Sequence, residues 1–324
     1  MNYFSLVIAF AVTVLVTFFI LHSKFSRSIQ DIPNERSLHS QPIPRTGGVA
    51  LLLGVFAGWS ILFSSLVWWL VLPVLGLFAL SMLDDIYNLP VKQRLLGHLA
   101  AAGLMVFGAG VAPQHGFIVA IILFFFTVWM TNLYNFMDGS DGLAGGMALF
   151  GFASYGVAAW LAHDENLAIL NFSIAAAALG FLLFNFHPAK IFMGDAGSIP
   201  LGFLAAAMGV WGWQQQIWSL WFPVLVFSPF IIDASVTLLK RTLRGVKITE
   251  AHREHYYQRM IQLGAGHRKV ALLEYVLMGA VGASAVLLRE QTFPWLVLLM
   301  WAVIFLSIML YVDRQWKNFE KART

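Results

Sequence analysis

Residues 132–143 read N-L-Y-N-F-M-D-G-S-D-G-L and place two amides and two carboxylates in a chain that is otherwise largely apolar. Asn135, Asp138 and Asp141 recur at intervals of three, and Gly139 and Gly142 beside them let the backbone turn and approach a ligand closely. Oxygen donors in this pattern suit a hard divalent cation or the hydrogen-bonding edge of a nucleobase. The same residue types also cap helix ends, which is the competing reading of this stretch taken alone.

Three further clusters carry chemistry-bearing residues. Asp84 and Asp85 are adjacent at the end of an apolar run, where two close carboxylates bind a cation or raise one another's pKa. Negative charge at a helix C-terminus opposes the helix dipole, so a purely structural role explains this pair poorly. Arg94 follows at the start of the next run and can face a phosphate; His98, one turn on, reads as a residue packed within the bundle. In F-N-F-H-P-A-K-I-F-M-G-D-A-G-S, Asn185 and Asp195 are oxygen donors at the two ends of a short loop, and Phe192 offers an aromatic face. Asp195 also stands where a helix cap belongs, while His187, Pro188 and Lys190 read as a tight turn. The stretch 239–269 is strongly basic, and Lys240, Arg241 and Arg244 suit anionic lipid headgroups. His252, Arg253 and His255, with Tyr256 and Tyr257, look like a grip on a phosphate or a sugar; no third nitrogen or sulfur ligand lies near enough to suggest zinc. An early loop adds Asn34, Arg36, Ser37, His39 and Arg45, followed by Gly47 and Gly48.

The elements that must position these groups are membrane spans. The 324 residues are 59% apolar and 11% charged, against about 25% charged in soluble domains, and the mean hydropathy is +0.75. There is no cysteine, hence no disulfide framework or thiolate site. Apolar runs near 3–21, 47–64, 65–83, 95–112, 117–136, 143–161, 167–185, 197–213, 217–238, 270–288 and 293–312 predict an all-α integral membrane protein of eleven transmembrane helices, read as one domain over 1–324. The first run has no Lys or Arg before Lys24 and reads as a retained span, not a signal peptide. With the N-terminus outside and the C-terminus in the cytoplasm, nineteen of the twenty Lys and Arg residues fall in cytoplasmic segments, and only Arg289 does not. Every dense polar cluster then lands on the cytoplasmic face.

Carboxylates and amides for a divalent cation, arginines for phosphate and an aromatic for a base on one membrane face fit phosphoryl transfer from a nucleotide-bearing soluble substrate to a lipid phosphate. The motifs P-N-E-R-S-L-H with P-R-T-G-G, Asp84-Asp85, N-x-x-N-F-M-D-G-x-D-G-L-A, F-M-G-D-A-G-S and a histidine-containing last loop fall in one order along nearly the whole chain. In this the sequence resembles the polyprenyl-phosphate N-acetylhexosamine-1-phosphate transferases, the MraY/WecA-like superfamily of glycosyltransferase family 4.

That resemblance implies Mg²⁺, or Mn²⁺ in its place, held by Asp195 and Asn135. It assigns Asp84 and Asp85 to deprotonating or positioning the lipid phosphate, and Asp138, Asp141, Asn185 and Phe192 to the nucleotide pocket, with Asp141 facing the uracil and Phe192 stacking on it. Arg94, His252, Arg253 and His255 become phosphate or sugar contacts. The implied substrates are undecaprenyl phosphate and a UDP-N-acetylamino sugar, with membrane lipids and a second copy of the chain as further partners, no nucleic acid, and the bacterial inner membrane as location. The last loop, H-R-E-H-Y-Y-Q-R, departs from the triple-histidine motif of the peptidoglycan branch and resembles the WbpL-like branch that starts O-antigen-type polysaccharides. N-acetylated 6-deoxy sugars are among that branch's substrates; a GlcNAc-1-phosphate transferase for another envelope polymer is the alternative within the family. A polyprenyl-lipid flippase or transporter is the alternative outside it, disfavoured because the ionisable clusters lie at one face and no inverted repeat is visible. A non-catalytic scaffold is disfavoured by the presence of both Asp84-Asp85 and Asp195.

Overall fold

The computed structural model describes residues 3–23, 29–33, 38, 41–247, 250 and 252–322. Asn34, Arg36, Ser37 and His39 of the early loop lie outside the described residues. Among those described, the protein is a helical bundle whose one sheet is a two-residue antiparallel pair, Gln30–Asp31 against Ile43–Pro44.

Nine helices among the described residues are long and apolar enough to cross a membrane. The eleven expected runs are all helical, but two fall short of that standard. Val91–Gly108 carries Lys92, Arg94 and His98 in its first turns. The run expected at 217–238 is split into Trp221–Val226 and Ser228–Leu243 around Phe227, next to Pro229, which has no N–H to continue a helix. The last helix, expected to stop near 312, continues as Trp295–Lys321. Its extension has a polar role, since Asp313 receives Arg259 at 3.0 Å and also binds Lys240.

The Asp195–Gln214 helix is the axis of the bundle, with 89% of its apolar window buried, against 17% for Trp295–Lys321 at the periphery. Its sequence explains that position. Small residues recur through Gly197, Gly202, Ala205–Ala207 and Gly209, so neighbouring backbones come close. A Cβ at Gly202 would lie 2.5 Å from the Met130 carbonyl of the Phe117–Phe136 helix. The Trp68–Tyr87 helix packs on the same axis, so the ends of three helices bring Asp84, Asp85, Asn135 and Asp195 to one end of the bundle.

Candidate active site

The Trp68–Tyr87 helix ends on Asn88, which adopts the left-handed conformation (φ 51°) and donates its N–H to the Asp84 carbonyl at 2.8 Å. The two acids before it then diverge. Asp84 Oδ1 accepts the Leu89 N–H at 2.7 Å, and Oδ2 pairs with Arg94 Nη1 at 2.9 Å. The same Arg94 nitrogen stands 3.5 Å from Asp195 Oδ2, so one guanidinium bridges two carboxylates. Asp85 points the other way. Its Oδ2 accepts the Ala196 N–H at 3.0 Å and its Oδ1 lies 3.4 Å from the Asp195 nitrogen, which caps the axial helix from outside. This resolves the objection from the dipole: the negative C-terminal end of one helix is set against the positive N-terminal end of another. Arg45 completes the joint, donating Nη2 to the Asp85 carbonyl at 2.7 Å.

The cap position itself is Gly194 (φ 72°), so Asp195 is the first helical residue and does not cap its own helix. Only glycine fits there: a Cβ would lie 2.3 Å from the Arg45 carbonyl. The loop before it is stitched to the early segment, with Phe192 N–H donating to Pro44, Gly47 N–H to Phe192, and Gly48 N–H to Met193, at 2.7, 2.9 and 2.8 Å. Asp195 is thereby aimed into a cavity with its side chain 22% exposed.

Asn135, on the last turn of Phe117–Phe136, accepts the Ser198 hydroxyl at 3.0 Å. Asp138, in the following loop, is held well above the usual carboxylate range by burial and by the nearby charges of Asp195, Asp85 and Asp31. Asn185 lines the same cavity, but both ends of its amide are taken: it accepts the Gly142 N–H at 3.0 Å and donates to the Ile191 carbonyl at 2.9 Å. His187, expected in a plain turn, instead binds Asp141 Oδ2 at 2.6 Å.

The last loop meets the site through Asp233. This carboxylate accepts the backbone N–H groups of Tyr256 and Tyr257 at 2.9 and 3.0 Å and the Thr237 hydroxyl at 3.1 Å, and it faces His255 Nδ1 at 3.3 Å. His252 lies against His255, ring centroids 5.0 Å apart. Burial, with His255 and Arg241 beside it, pushes the His252 imidazole down to about 4, so the ring is neutral at pH 7. Arg253 is exposed and lines none of the cavities described here. Arg241, expected at lipid headgroups, is buried and paired with Glu254, which also binds Arg244. Burial would raise the Glu254 carboxyl, but Arg244 and Arg241 hold it below its ordinary value.

Two cavities share this floor. The polar one, about 480 Å³, is lined by Asp85, Asp138, Asp141, Asp195, Arg45 and Phe192 among others. The other, about 710 Å³, is mainly apolar, walled by Leu95, Phe125, Val128, Trp129, Ile199 and Leu238, with Arg94 and His255 at its polar edge. Asn135, His252 and Gln258 line both. Asp233, Gln258 and His267 were not singled out in the sequence, because each owes its place to contacts across more than twenty residues of chain or to a shared wall.

A family model described as glycosyl transferase family 4 matches residues 67–212. A decaprenyl-phosphate N-acetylglucosaminephosphotransferase of Mycolicibacterium smegmatis is 30% identical over 300 residues, covering 78% of this chain and 73% of the relative. The chain belongs to glycosyl transferase family 4. A phospho-N-acetylmuramoyl-pentapeptide-transferase of Listeria welshimeri is 29% identical over 324 residues, 87% of this chain and 97% of its own. The Bacillus subtilis (strain 168) protein named "Probable undecaprenyl-phosphate N-acetylglucosaminyl 1-phosphate transferase" is 28% identical over 316 residues, 90% and 87%. Two of these three relatives are named for transfer to a polyprenyl phosphate, and with nine apolar helices among its described residues this family member is a multi-pass membrane protein.

The donor set also bears on a metal. Among the described residues no three His, Asp or Glu side chains form a ready-made cage. Mg²⁺ rarely uses one; it is held by one or two carboxylates with water and substrate phosphates. Asp195 and Asn135, oxygen donors lining one polar cavity beside Arg94, fit that mode.

Proposed function

We propose that this protein transfers an N-acetylamino-sugar 1-phosphate from a UDP-sugar to undecaprenyl phosphate and releases UMP, at the cytoplasmic face of a bacterial inner membrane, as the first step of an O-antigen-type polysaccharide. The observation that carries the reading is the common wall. A polar cavity of nucleotide size and an apolar cavity of lipid-chain size meet at Asn135, His252 and Gln258, with Arg94 and Asp195 3.5 Å apart at their junction. Eleven spans, with the N-terminus outside, remain our reading of the topology; it rests on the distribution of Lys and Arg. The choice of an O-antigen-type sugar rests on the composition of the last loop.

In the proposed step, an oxygen of the lipid phosphate attacks the β-phosphorus of the UDP-sugar. The new P–O bond forms as the bond to the bridging oxygen breaks, and that oxygen leaves on UMP. Arg94, at the edge of the apolar cavity, would face the incoming lipid phosphate as the cation that steadies its charge, and Asp84, paired with it, would position it there. Asp85, its oxygens on helix N–H groups, fixes Asp195 in place. Asp195 and Asn135 would hold Mg²⁺, which supplies neutralisation of pyrophosphate charge. Phe192 and Asp141 line the nucleotide side, and the imidazoles of His252 and His255 close the sugar side.

The test is UMP release by the purified protein from a panel of UDP-N-acetylamino sugars, with undecaprenyl phosphate and Mg²⁺. Lipid-dependent UMP from one sugar, lost in Asp195→Ala, is the expected result. Folded protein that binds the lipid and releases no UMP from any sugar would overturn the reading.

A further inference from the structure

Asp141 is 6% exposed and lies in the turn that leads into the Leu143–Leu161 helix. Its two oxygens are treated differently. Oδ2 accepts His187 Nδ1 at 2.6 Å and the Ala189 N–H at 3.1 Å. Oδ1 takes no hydrogen bond among the described residues; His267 Nδ1 faces it at 3.9 Å, beyond hydrogen-bond reach. His267 is engaged elsewhere, with Ser140 Oγ at 2.9 Å from Nδ1 and the Leu38 carbonyl 3.3 Å from Nε2.

These partners fix the tautomers. An ionised carboxylate only accepts, so His187 carries its proton on Nδ1. A backbone carbonyl only accepts, so His267 carries its proton on Nε2, and its Nδ1 receives the Ser140 hydroxyl. The two rings stack in parallel, centroids 5.6 Å apart at an interplanar angle of 4°, which braces His187 from one side. Asp141 and His267 line the polar cavity. The outcome is a carboxylate pinned at one oxygen, with the other left as a hydrogen-bond acceptor for that cavity.

We propose that His187 is a specificity-determining residue that acts through Asp141. By holding Oδ2, it presents Oδ1 in one fixed direction, which selects a nucleobase whose ring edge carries an N–H over one whose ring edge carries a lone pair. Uracil, with hydrogen on N3, is accepted; cytosine, with a lone pair on N3, meets acceptor against acceptor. Polar groups left unpaired in a buried site are what make hydrogen-bond readers discriminating. The identity of the base rests on the UDP-sugar reading above, whereas the directionality of Asp141 rests on the geometry alone.

The experiment compares UMP and CMP binding to the full-length protein in nanodiscs, read by calorimetry without turnover, together with steady-state transfer. His187→Phe keeps a ring on the His267 stack and removes the N–H. It is expected to weaken UMP binding about tenfold, the scale of one hydrogen bond, and to lower the UMP/CMP ratio by a similar factor. KM for the UDP-sugar rises with kcat within about twofold. His187→Asn restores an N–H near the Nδ1 position and is expected to keep the UMP/CMP ratio within about twofold of wild type. An unchanged ratio in His187→Phe, or a loss in His187→Asn as large as in the Phe variant, would overturn the proposal. Where the Phe variant does not fold, His187→Leu, which also removes the N–H, takes its place with the same expected loss. Wild-type protein that prefers UMP to CMP but transfers no sugar phosphate would remove the transferase reading and leave the proposal standing.

Discussion

Among the described residues, two helix N-termini are capped by a carboxylate from a different helix, and they serve different ends of the site. Asp85 caps the twenty-residue helix Asp195–Gln214, and Asp233 caps the five-residue turn Tyr256–Met260. The first cap places an acid, Asp195, in the polar cavity; the second places an imidazole, His255, at the apolar one. Around Asp85 the charges are dense, with Asp84, Arg94, Asp195 and Arg45 in a chain of contacts. Around Asp233 the partners are mostly neutral: two backbone amides, a hydroxyl and an imidazole. A buried carboxylate whose oxygens sit on helix N–H groups is a positioning device, and the chemistry belongs to the residue it positions. Asp84 and Asp85, equivalent in sequence, are therefore not equivalent in role.

The comparison breaks if the two caps cost the same when removed. Asp85→Asn puts an amide N–H against helix N–H groups and frees Asp195 beside a bridging guanidinium. Transfer is expected to fall by about a hundredfold or more, with a stability loss of about 1–2 kcal/mol from the lost cap. Asp233→Asn disturbs a shorter helix with a weaker dipole and leaves Asp195 untouched; transfer should fall about tenfold, in the range of one lost charge-assisted hydrogen bond. UMP release and thermal unfolding, measured on both variants in the same detergent, check the order. Equal losses, or a larger loss at Asp233, would mean that His255 and not Asp195 dominates the site.

The pattern of helices and the residues at their ends were legible in the sequence because membrane spans and polar loops differ so sharply in composition. Asp84, Asp85, Asn135, Asp138, Asp141 and Asp195 were all named from it, and the fold brings them to one end of the bundle. Less legible was which oxygen each carboxylate gives to structure. Asp195 looked like its own cap, yet the cap comes from Asp85, 110 residues earlier. His187 looked like part of a turn, yet its partner Asp141 is 46 residues away. Asp233 reads in the sequence as a residue inside the ninth helix with no assigned role, and its role comes from Tyr256 and Tyr257, which fold back on it. Periodicity sees neighbours within a helix, while these contacts depend on helix crossings that no local pattern encodes. The broken helix near Phe227 was missed for a related reason: Pro229 sits inside an uninterrupted apolar run, and hydropathy does not register a missing N–H.

A smaller effect separates the neutral end of the site from the charged one through pH. His252 titrates at about 4 in the folded protein, below its ordinary value of 6.5. Between those values the unfolded chain binds a proton that the native ring does not, so this residue's contribution to stability is present above pH 6.5 and is lost as pH falls toward 4. Melting temperatures of wild type and His252→Gln across pH 4 to 6.5 check this, with the variant expected to lose less on acidification. A wild-type and a variant curve that fall in parallel would show that His252 is not held neutral.

The smallest effect is expected at Arg253, and it tests whether cavity walls or sequence clusters define the site. Arg253 sits between His252 and His255 in sequence, and a cluster reading groups all three. In the structure both histidines line a cavity while the Arg253 side chain is exposed, and among the described residues only its backbone carbonyl is engaged, by Gln262 at 2.9 Å. That carbonyl survives any side-chain substitution. Arg253→Ala should therefore leave transfer within about twofold of wild type and stability within about 0.5 kcal/mol, as for an exposed residue. A loss approaching that of Asp233→Asn, measured by KM for the UDP-sugar, would mean that the loop closes over the substrate and brings the guanidinium in. The carboxylate cap at Asp233 would then be the base of a moving element, and the contrast between the two caps would become one between a fixed joint and a hinge.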